Sequence, residues 1–384
     1  MGHPGRVEEE GKDVIRLDKV SKVYPDGTRA VNEVSLEVEK GELCILLGPS
    51  GCGKTTTMRL INRLIPITAG SIYIDGTKNT DMNEDELRRG IGYAIQDIGL
   101  FPHMTVAENI ETVPALKGWP KSQRRKRAEE LLELMGMPQG EFINKFPSEL
   151  SGGQRQRVGV ARALGADPPI LLMDEPFGAI DPITRVRLQG EFLKIQDVLK
   201  KTIIFVTHDI YEAIKMGDKI ALMNEGWLVQ YATPAELLYR PENHFVESFV
   251  GTDRALKGLQ LLRVKEIMNA PTATLELDEE AEVARARMER QSVDWLAVVD
   301  QNGKFLGGVN REVLEGKRMV KDIIMDPPTT IMVDAVLNEA ISLMLSSGLD
   351  NMAVVDGKNK LLGVLTFGAV REALSKLGQK GETE

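Results

Sequence analysis

The sequence has few cysteines and no long apolar run. Its two cysteines, Cys44 and Cys52, are too few in 384 residues for a disulfide framework and are typical of a reducing cytosol. No apolar segment approaches the roughly 18 residues that a membrane-spanning helix needs, and no signal peptide opens the chain. We therefore expect a cytoplasmic protein that reaches a membrane only through a partner.

An excess of positive charge is also missing. The chain has 48 Lys and Arg against 57 Asp and Glu, a formal net charge of −9. This balance gives no reason to expect nucleic acid as a partner. With 42% hydrophobic and 27% charged residues, the composition is that of a soluble globular protein, and 384 residues allow two or three domains.

A glycine-rich loop gives the first functional signal. Residues 48–55 have the sequence GPSGCGKT and fit the pattern G-x-x-x-x-G-K-[ST]. They lie between an apolar run at 43–47, which predicts a buried strand, and residues 56–63, which predict a helix. Backbone N–H groups in such a loop point at phosphates, and the helix dipole adds positive charge. The predicted nucleotide contacts are Gly48, Ser50, Gly51, Cys52, Gly53, Lys54, Thr55 and Thr56.

The loop and its surroundings predict individual contacts to ATP and Mg²⁺. Lys54 would reach the β- and γ-phosphates, Thr55 would ligate Mg²⁺, and Thr56 would steady the α-phosphate. Tyr24 precedes a turn at 25–27. Its ring is placed either to stack on an adenine or to lie half-buried in a sheet.

Two other buried strands are predicted to end in polar residues. The apolar run from Pro169 ends at Asp174 and Glu175, and the run 203–206 is followed by His208. In a parallel sheet such ends meet at the ligand crevice. We expect Asp174 to serve Mg²⁺, Glu175 to polarise the attacking water, and His208 to sense the γ-phosphate.

Cys52 suggests a reactive thiol as well as a spacer. It lies in the phosphate loop near a helix N-terminus, where a thiol pKa can be lowered. One hypothesis is that maleimide blocks ATP hydrolysis and that bound nucleotide protects the enzyme. The alternative is a small residue that only fills space.

A helical insertion contains the most specific motif. The pattern is helical from 105 to 166 and returns to strand only at Ile170. Within the insertion, residues 150–154 read LSGGQ. Combined in order with the phosphate loop, Gln96, the two carboxylates and His208, this series resembles the ABC transporter ATPase family over roughly residues 13–250.

The resemblance implies an α/β fold and a composite site. The fold would be a mainly parallel sheet core with an antiparallel β subdomain and an inserted helical subdomain at about 100–166. Two copies would face head to tail, so that one copy's phosphate loop meets the partner's signature motif. Gln96 would contact Mg²⁺ or the attacking water, and Asp181 would couple the two sites. The predicted signature contacts are Ser151, Gly152, Gly153 and Gln154.

The last third of the chain repeats itself at an offset of 56 residues. VKEIM at 264–268 recurs as VKDII at 320–324, and AVVD at 297–300 recurs at 353–356. The pair resembles a tandem CBS module of α+β type, in which two units share a core. The predicted domains are a tail at 1–12, the ATPase at 13–251, a linker at 252–263, repeats at 264–316 and 320–376, and a tail at 377–384.

The CBS pair departs from the usual mononucleotide pattern. A ribose-binding Asp commonly lies three residues after a Ser or Thr that follows the second strand, but Ala369 stands three residues after Thr366. In the first repeat Asn310 and Val313 hold the equivalent positions. A cyclic dinucleotide, a salt-sensitive surface in this acidic region, and plain dimerisation all remain open.

An ABC ATPase followed by a CBS pair resembles the energising subunit of quaternary-amine importers, which take up glycine betaine, carnitine and choline. The resemblance implies a homodimer at the cytoplasmic face of the membrane. Its partners would be an integral-membrane permease and a separate extracytoplasmic binding protein. Another small-molecule cargo is one alternative. Others are a non-transport ABC ATPase of DNA repair or translation, and a sensor that binds ATP through the CBS pair. Glu175 and His208 argue against the sensor.

Overall fold

The computed structural model describes residues 13–95, 99–178, 180–271, 273–314, 318–324 and 329–379. The chain forms two compact units, one of residues 1–237 and 241–249 and the other of residues 238–240 and 250–384. None of the helices in these described ranges is long and apolar enough to cross a membrane.

The first unit contains two sheets. A four-stranded antiparallel sheet has the order β2-β1-β4-β5, and a six-stranded sheet has the order β10-β9-β3-β8-β7-β6. The strands are β1 Asp13–Val23, β2 Arg29–Glu39, β3 Leu43–Leu47, β4 Ala69–Ile74, β5 Thr77–Lys78, β6 Ile91–Ala94, β7 Ile170–Asp174, β8 Thr202–Val206, β9 Lys219–Asn224 and β10 Trp227–Ala232.

Buried strands bring the phosphate loop, the two carboxylates and His208 to one edge of the six-stranded sheet. β3, β7 and β8 are buried at every residue, as the apolar runs predicted. β3 pairs in parallel with β8 and β9, and β7 pairs in parallel with β6 and β8. Their carboxyl ends therefore meet at one edge.

One strand that precedes the helical insertion was not predicted from the sequence. Ile91–Ala94 forms β6, a parallel edge strand beside β7. The sequence concealed it because β6 is four residues long and contains Gly92, which weakens a strand pattern. A Cβ on Gly92 would come within 2.4 Å of the Ala163 carbonyl oxygen, so glycine is needed for close packing there.

Helices connect many of the strands, and several begin at a capping residue. Thr105 and Ser151 each accept a backbone N–H and complete a capping box, starting α3 and α6 of the helical insertion. The helices of the unit are α1 Lys54–Ile61, α2 Glu84–Gly90, α3 Val106–Leu116, α4 Lys121–Leu134, α5 Gln139–Phe142, α6 Gly152–Leu164, α7 Pro182–Leu199, α8 Ile210–Met216, α9 Pro234–Tyr239 and α10 His244–Val250.

The second unit contains two three-stranded sheets, one from each repeat, with the orders β11-β12-β13 and β14-β15-β16. Residues from both repeats, including Trp295, Phe305 and Val355, form one apolar cluster between them. The elements are α11 Arg254–Gly258, α12 Val264–Ile267, β11 Thr274–Leu275, α13 Ala281–Gln291, β12 Trp295–Val299, β13 Phe305–Asn310, β14 Thr330–Met332, α14 Leu337–Ser347, β15 Asn351–Val355, β16 Leu361–Thr366 and α15 Phe367–Gln379.

The two repeats exchange the segments with which they begin. Residues 264–268, at the start of the first repeat, pack into the core of the second, where Val264 is fully buried. Residues 320–324 pack into the core of the first, where Val320 is fully buried. We call 264–268 and 320–324 the exchanged segments. The structural units thus differ from the sequence repeats.

The weakly patterned residues before the first repeat are folded. They contain α11, and Leu259 is buried in the core of the second repeat. Lys257 is 4% exposed, donates to the carbonyl oxygen of Val250 and pairs with Asp253. This segment, predicted as a linker, is therefore packed within the second unit.

Candidate functional site

The phosphate loop follows β3 directly and depends on glycine at two positions. Gly48 has φ +146°, and Gly53, which caps α1, has φ +104°. A Cβ on either would come within 2.2 Å of a backbone carbonyl oxygen, that of Met223 for Gly48 and that of Ala30 for Gly53. The close backbone approach thus requires both glycines and fixes the curl of the loop.

Lys54, the first residue of α1, lies beneath this loop and is 5% exposed. Its Nζ donates to the carbonyl oxygens of Gly48 at 2.7 Å and Pro49 at 2.8 Å. The ammonium is therefore fixed by the two residues that open the loop, within the curl that the glycines create.

Thr55 and Asp174 come together from α1 and β7. Thr55 Oγ1 donates to Asp174 Oδ1 at 2.9 Å, and Asp174 is 3% exposed. Burial raises the pKa of the Asp174 carboxyl above its ordinary value, and the Thr55 hydrogen bond opposes the shift. A hydroxyl and a carboxylate are the hard oxygen ligands that Mg²⁺ prefers, so the residues fit this ion.

Glu175 and His208 form a second pair at the same edge. His208 Nδ1 lies 3.1 Å from Glu175 Oε1. The Glu175 N–H donates to the Val206 carbonyl oxygen at 3.0 Å, and Glu175 has φ +45°, so the chain turns sharply as it leaves β7. The Glu175 carboxylate thus lies one residue beyond Asp174, and the His208 imidazole lies two residues beyond the end of β8.

The signature residues line a separate cavity of about 550 Å³. Ser151 caps α6, and Asp181 caps α7 by accepting the Thr184 N–H at 3.0 Å. Both side chains line the cavity together with Gly152, Gly153 and Gln154, whereas Lys54, Asp174 and Glu175 are not among its lining residues. One copy of the chain therefore presents the phosphate loop and the signature motif as two surfaces.

For two other predicted site residues, the structure gives little information about a role in the site. Tyr24 is half-buried at the turn, with Lys22 Nζ 5.2 Å from its ring centroid. Both interpretations of Tyr24 therefore remain predictions. Gln96 lies outside the described residues.

The expectation of a lowered Cys52 pKa is wrong. Cys52 is only 3% exposed, and burial raises the pKa of its thiol above the ordinary value. Lys54 Nζ, 3.7 Å from Sγ, acts in the opposite direction but more weakly. Desolvation exceeds the positive field because the thiol lies inside the loop rather than at its mouth.

Sequence reasoning missed a buried polar cluster behind His208. It joins Thr207, Gln189 and Glu212, all less than 10% exposed. The available signal was Glu212, a charged residue directly followed by the apolar residues Ala213 and Ile214. A charged residue on the buried face of a helix needs partners.

Family models match both units. The model described as ABC transporter matches residues 31–178, and the CBS domain model matches 264–312 and 320–376. The first match includes the phosphate loop, the signature motif and both carboxylates. The second covers both repeats, so the tandem CBS prediction is confirmed.

Similar proteins extend over nearly the whole chain. The glycine betaine/carnitine/choline transport ATP-binding protein OpuCA of Bacillus subtilis is 46% identical over 358 residues, covering 92% of this chain and 94% of that protein. The osmoprotectant import ATP-binding protein OsmV of Salmonella typhimurium is 44% identical over 368 residues, covering 94% and 96%. Relatives of this similarity thus include both repeats.

Solved structures agree for the first unit. A bacterial ABC transporter cassette solved as a dimer is 37% identical with a TM-score of 0.53, covering 57% of this chain and 98% of that chain. A dimeric post-hydrolysis state with bound ADP and phosphate gives 36% and 0.53 over the same shares. These likenesses confirm the α/β ATPase fold.

Proposed function

This chain belongs to the ATP-binding subunits of ABC transporters, and we propose that it hydrolyses ATP to drive uptake of quaternary-amine osmoprotectants through a separate permease. Glycine betaine, carnitine and choline are the cargo class, because its relatives are transport ATP-binding proteins for one or more of these compounds. The cargo itself would be bound by another protein, where aromatic side chains can surround a quaternary ammonium.

The observation that carries the proposal is the meeting of two side-chain pairs at one sheet edge. Thr55 with Asp174 supplies oxygen ligands, and Glu175 with His208 supplies a base and a γ-phosphate contact. Phosphoryl transfer to water needs charge neutralisation and an in-line nucleophile rather than covalent catalysis. This arrangement offers both.

Each residue has a proposed task in hydrolysis. Lys54 neutralises the β- and γ-phosphates, Glu175 orients and polarises the water, and His208 holds the γ-phosphate. Thr55, Asp174 and Gln96 would hold Mg²⁺, which when bound supplies further positive charge to the phosphates. Backbone N–H groups of the loop bind the phosphate oxygens, and Tyr24 stacks on the adenine.

A second copy completes the site in this proposal. The Ser151–Gln154 motif begins α6, so its hydroxyl and N–H groups suit a γ-phosphate presented by the partner's phosphate loop. Asp181 lines the same cavity and would couple the two sites. The homodimer would bind an integral-membrane permease at the cytoplasmic face of the membrane, with an extracytoplasmic binding protein delivering cargo.

We assign regulation to the CBS module. Thr366 Oγ1 accepts the Ala369 N–H at 3.1 Å, so that hydroxyl has a structural role at the start of α15. A cyclic dinucleotide is one ligand that we propose for the module, and a salt-sensitive surface and plain dimerisation are the alternatives. Equilibrium dialysis of the full chain against cyclic dinucleotides, with ATP as the competitor, tests binding directly.

Two measurements test the transport function. Glu175→Gln is expected to lower the ATPase rate by at least about 100-fold, because the amide cannot polarise the water. In cells without other carriers, uptake of labelled glycine betaine after a hyperosmotic shift should fall with it. Equal ATPase rates in wild type and Glu175→Gln would refute the assignment of Glu175 as the base. If the ATPase rate falls as expected but uptake is unchanged, the proposed cargo is refuted.

A further inference from the structure

Behind the site, Glu212 of α8 is a buried carboxylate with two side-chain donors. It is 7% exposed. Thr207 Oγ1 donates to Oε2 at 2.6 Å, and Gln189 Nε2 donates to Oε1 at 2.9 Å. A buried carboxylate needs such partners, and here each oxygen has one.

The cluster has one internally consistent donor order. Lys215 Nζ, which can only donate, donates to Gln189 Oε1 at 3.1 Å, so the amide must turn its NH₂ toward Glu212. The Asp209 N–H donates to Thr207 Oγ1 at 3.0 Å, which leaves the hydroxyl hydrogen for Glu212. Donors at both ends thus require an acceptor-only group in the middle.

The carboxylate links two segments of the proposed site. Thr207 immediately precedes His208, and Gln189 belongs to α7, which starts at the Asp181 cap. Glu212 therefore hydrogen-bonds to the loop that presents His208 and to the helix that follows Asp181. Burial raises the pKa of Glu212, with Asp209 acting in the same direction, whereas the Thr207 and Gln189 hydrogen bonds and Arg185 lower it.

We propose that Glu212 is a positioning residue for ATP hydrolysis, holding the loop of His208 against α7 through its two hydrogen bonds. The proposal rests on the function proposed above. It predicts a loss in turnover with little loss in ATP affinity, because the phosphate loop and α1 lie outside the cluster. A small displacement of His208 is sufficient, since misplacement by about 1 Å can cost about 100-fold in rate.

The test begins with Glu212→Gln, which keeps the size of the side chain but places an NH₂ group opposite a donor. We expect kcat to fall at least about tenfold while the Kd for ATP stays within about twofold. Glu37→Gln, an exposed position on β2, is the control and should match wild type. Thermal unfolding of each variant reports folding independently.

A second variant distinguishes positioning from mere destabilisation. In Glu212→Gln with Lys215→Gln, the amide of Gln189 can reverse, because the ammonium that fixed its orientation is gone. The Gln189 oxygen then accepts from the new amide NH₂ at position 212, and Thr207 donates to the new amide oxygen. Each donor in the cluster again faces an acceptor. We expect kcat to recover to within about threefold of wild type.

The outcomes separate the two proposals. A wild-type protein that binds ATP but does not hydrolyse it overturns the proposed function and this inference with it. With wild type active, unchanged kcat in Glu212→Gln overturns the inference alone. The inference is also overturned if kcat falls in both variants in proportion to a loss of thermal stability. The ¹⁵N resonances of the His208 imidazole should shift in Glu212→Gln and return in the double variant, and unchanged resonances also contradict positioning.

Discussion

At the scale of the residue, burial decides which groups near the phosphates are reactive. Cys44 is fully buried within β3, and Cys52 is enclosed by the loop that it helps to form. Both thiols have raised pKa values, and that of Cys44 reaches about 12. A thiol of raised pKa has less thiolate at neutral pH and therefore reacts slowly.

We predict that maleimide at pH 7 modifies neither cysteine in the folded protein within the time that labels an exposed thiol. Both should react once the chain is unfolded in urea, as counted by intact mass. Raising the pH to 9 should leave Cys44 unlabelled, because this is still well below its pKa of about 12. Rapid labelling of wild type that disappears in Cys52→Ala would instead support a reactive loop thiol.

At the scale of the element, Asp181 has a structural role besides its proposed coupling role. Its carboxylate accepts the Thr184 N–H and caps the 18-residue helix α7. The same hydrogen bond lowers the pKa of Asp181. Substitutions that remove the carboxylate can therefore change helix stability and function together, and the two effects need separate variants.

We predict that Asp181→Ala lowers the free energy of unfolding, whereas Asp181→Asn leaves it nearly unchanged, because Asn caps as well as Asp. Urea denaturation monitored by circular dichroism measures the difference in the free energy of unfolding. Both variants should lose the coupling between ATP sites, read as a loss of cooperativity in ATP hydrolysis. Equal stability of the Ala and Asn variants would contradict the capping role.

Sequence patterns predicted the elements whose apolar residues follow a clear pattern. β3, β7 and β8 follow from unbroken apolar runs, and α6 lies in the stretch of helical pattern at 105–166. β6 escaped because tertiary packing, not local pattern, makes it a strand. The thiol pKa of Cys52 escaped because burial depends on how the loop folds over it. Residue identity could not reveal either.

At the scale of the whole molecule, the exchanged segments make each CBS core depend on both repeats. Val264 N–H donates to the Ala335 carbonyl oxygen at 2.9 Å, and Val320 N–H donates to that of Glu279 at 2.9 Å. The sequence repeats predicted two units sharing a core but not this exchange, because repetition shows similarity and not pairing.

We predict reciprocal effects of two matched core substitutions. Val264→Ala should weaken the second repeat, and Val320→Ala should weaken the first, each by about 2 kcal/mol from lost burial and cavity formation. Hydrogen exchange measured by mass spectrometry locates the loss of protection at β14–β16 in one variant and at β11–β13 in the other. Loss confined to the repeat that carries the substitution would refute the exchange.

The separation of the phosphate loop from the signature cavity leads to a prediction about the dimer. Gly152 is the first residue of α6, and a Cβ there would meet no atom within 4 Å. Gly152→Glu should therefore fold well, since a carboxylate suits a helix N-terminus. It should also repel the partner's γ-phosphate.

We expect Gly152→Glu to retain ATP binding to the single chain while its ATPase rate falls at least about 100-fold. Gly190→Glu on α7 is the matched control, because a Cβ at Gly190 also meets no atom within 4 Å, and it should hydrolyse normally. Isothermal titration and phosphate release supply the two readouts. Normal hydrolysis by Gly152→Glu would refute a site shared between copies.

The exchange also sets an order of events during synthesis. The core of the first repeat closes on a segment that follows it closely, so it can form as soon as residues 320–324 emerge. The core of the second repeat needs a segment that was synthesised much earlier. Arg263, just before that segment, donates to the carbonyl oxygen of Asp334, which lies 71 residues later. Closing that longer loop costs more chain entropy and slows folding. The exchanged segment 264–268 therefore stays unburied until nearly all of the protein has left the ribosome.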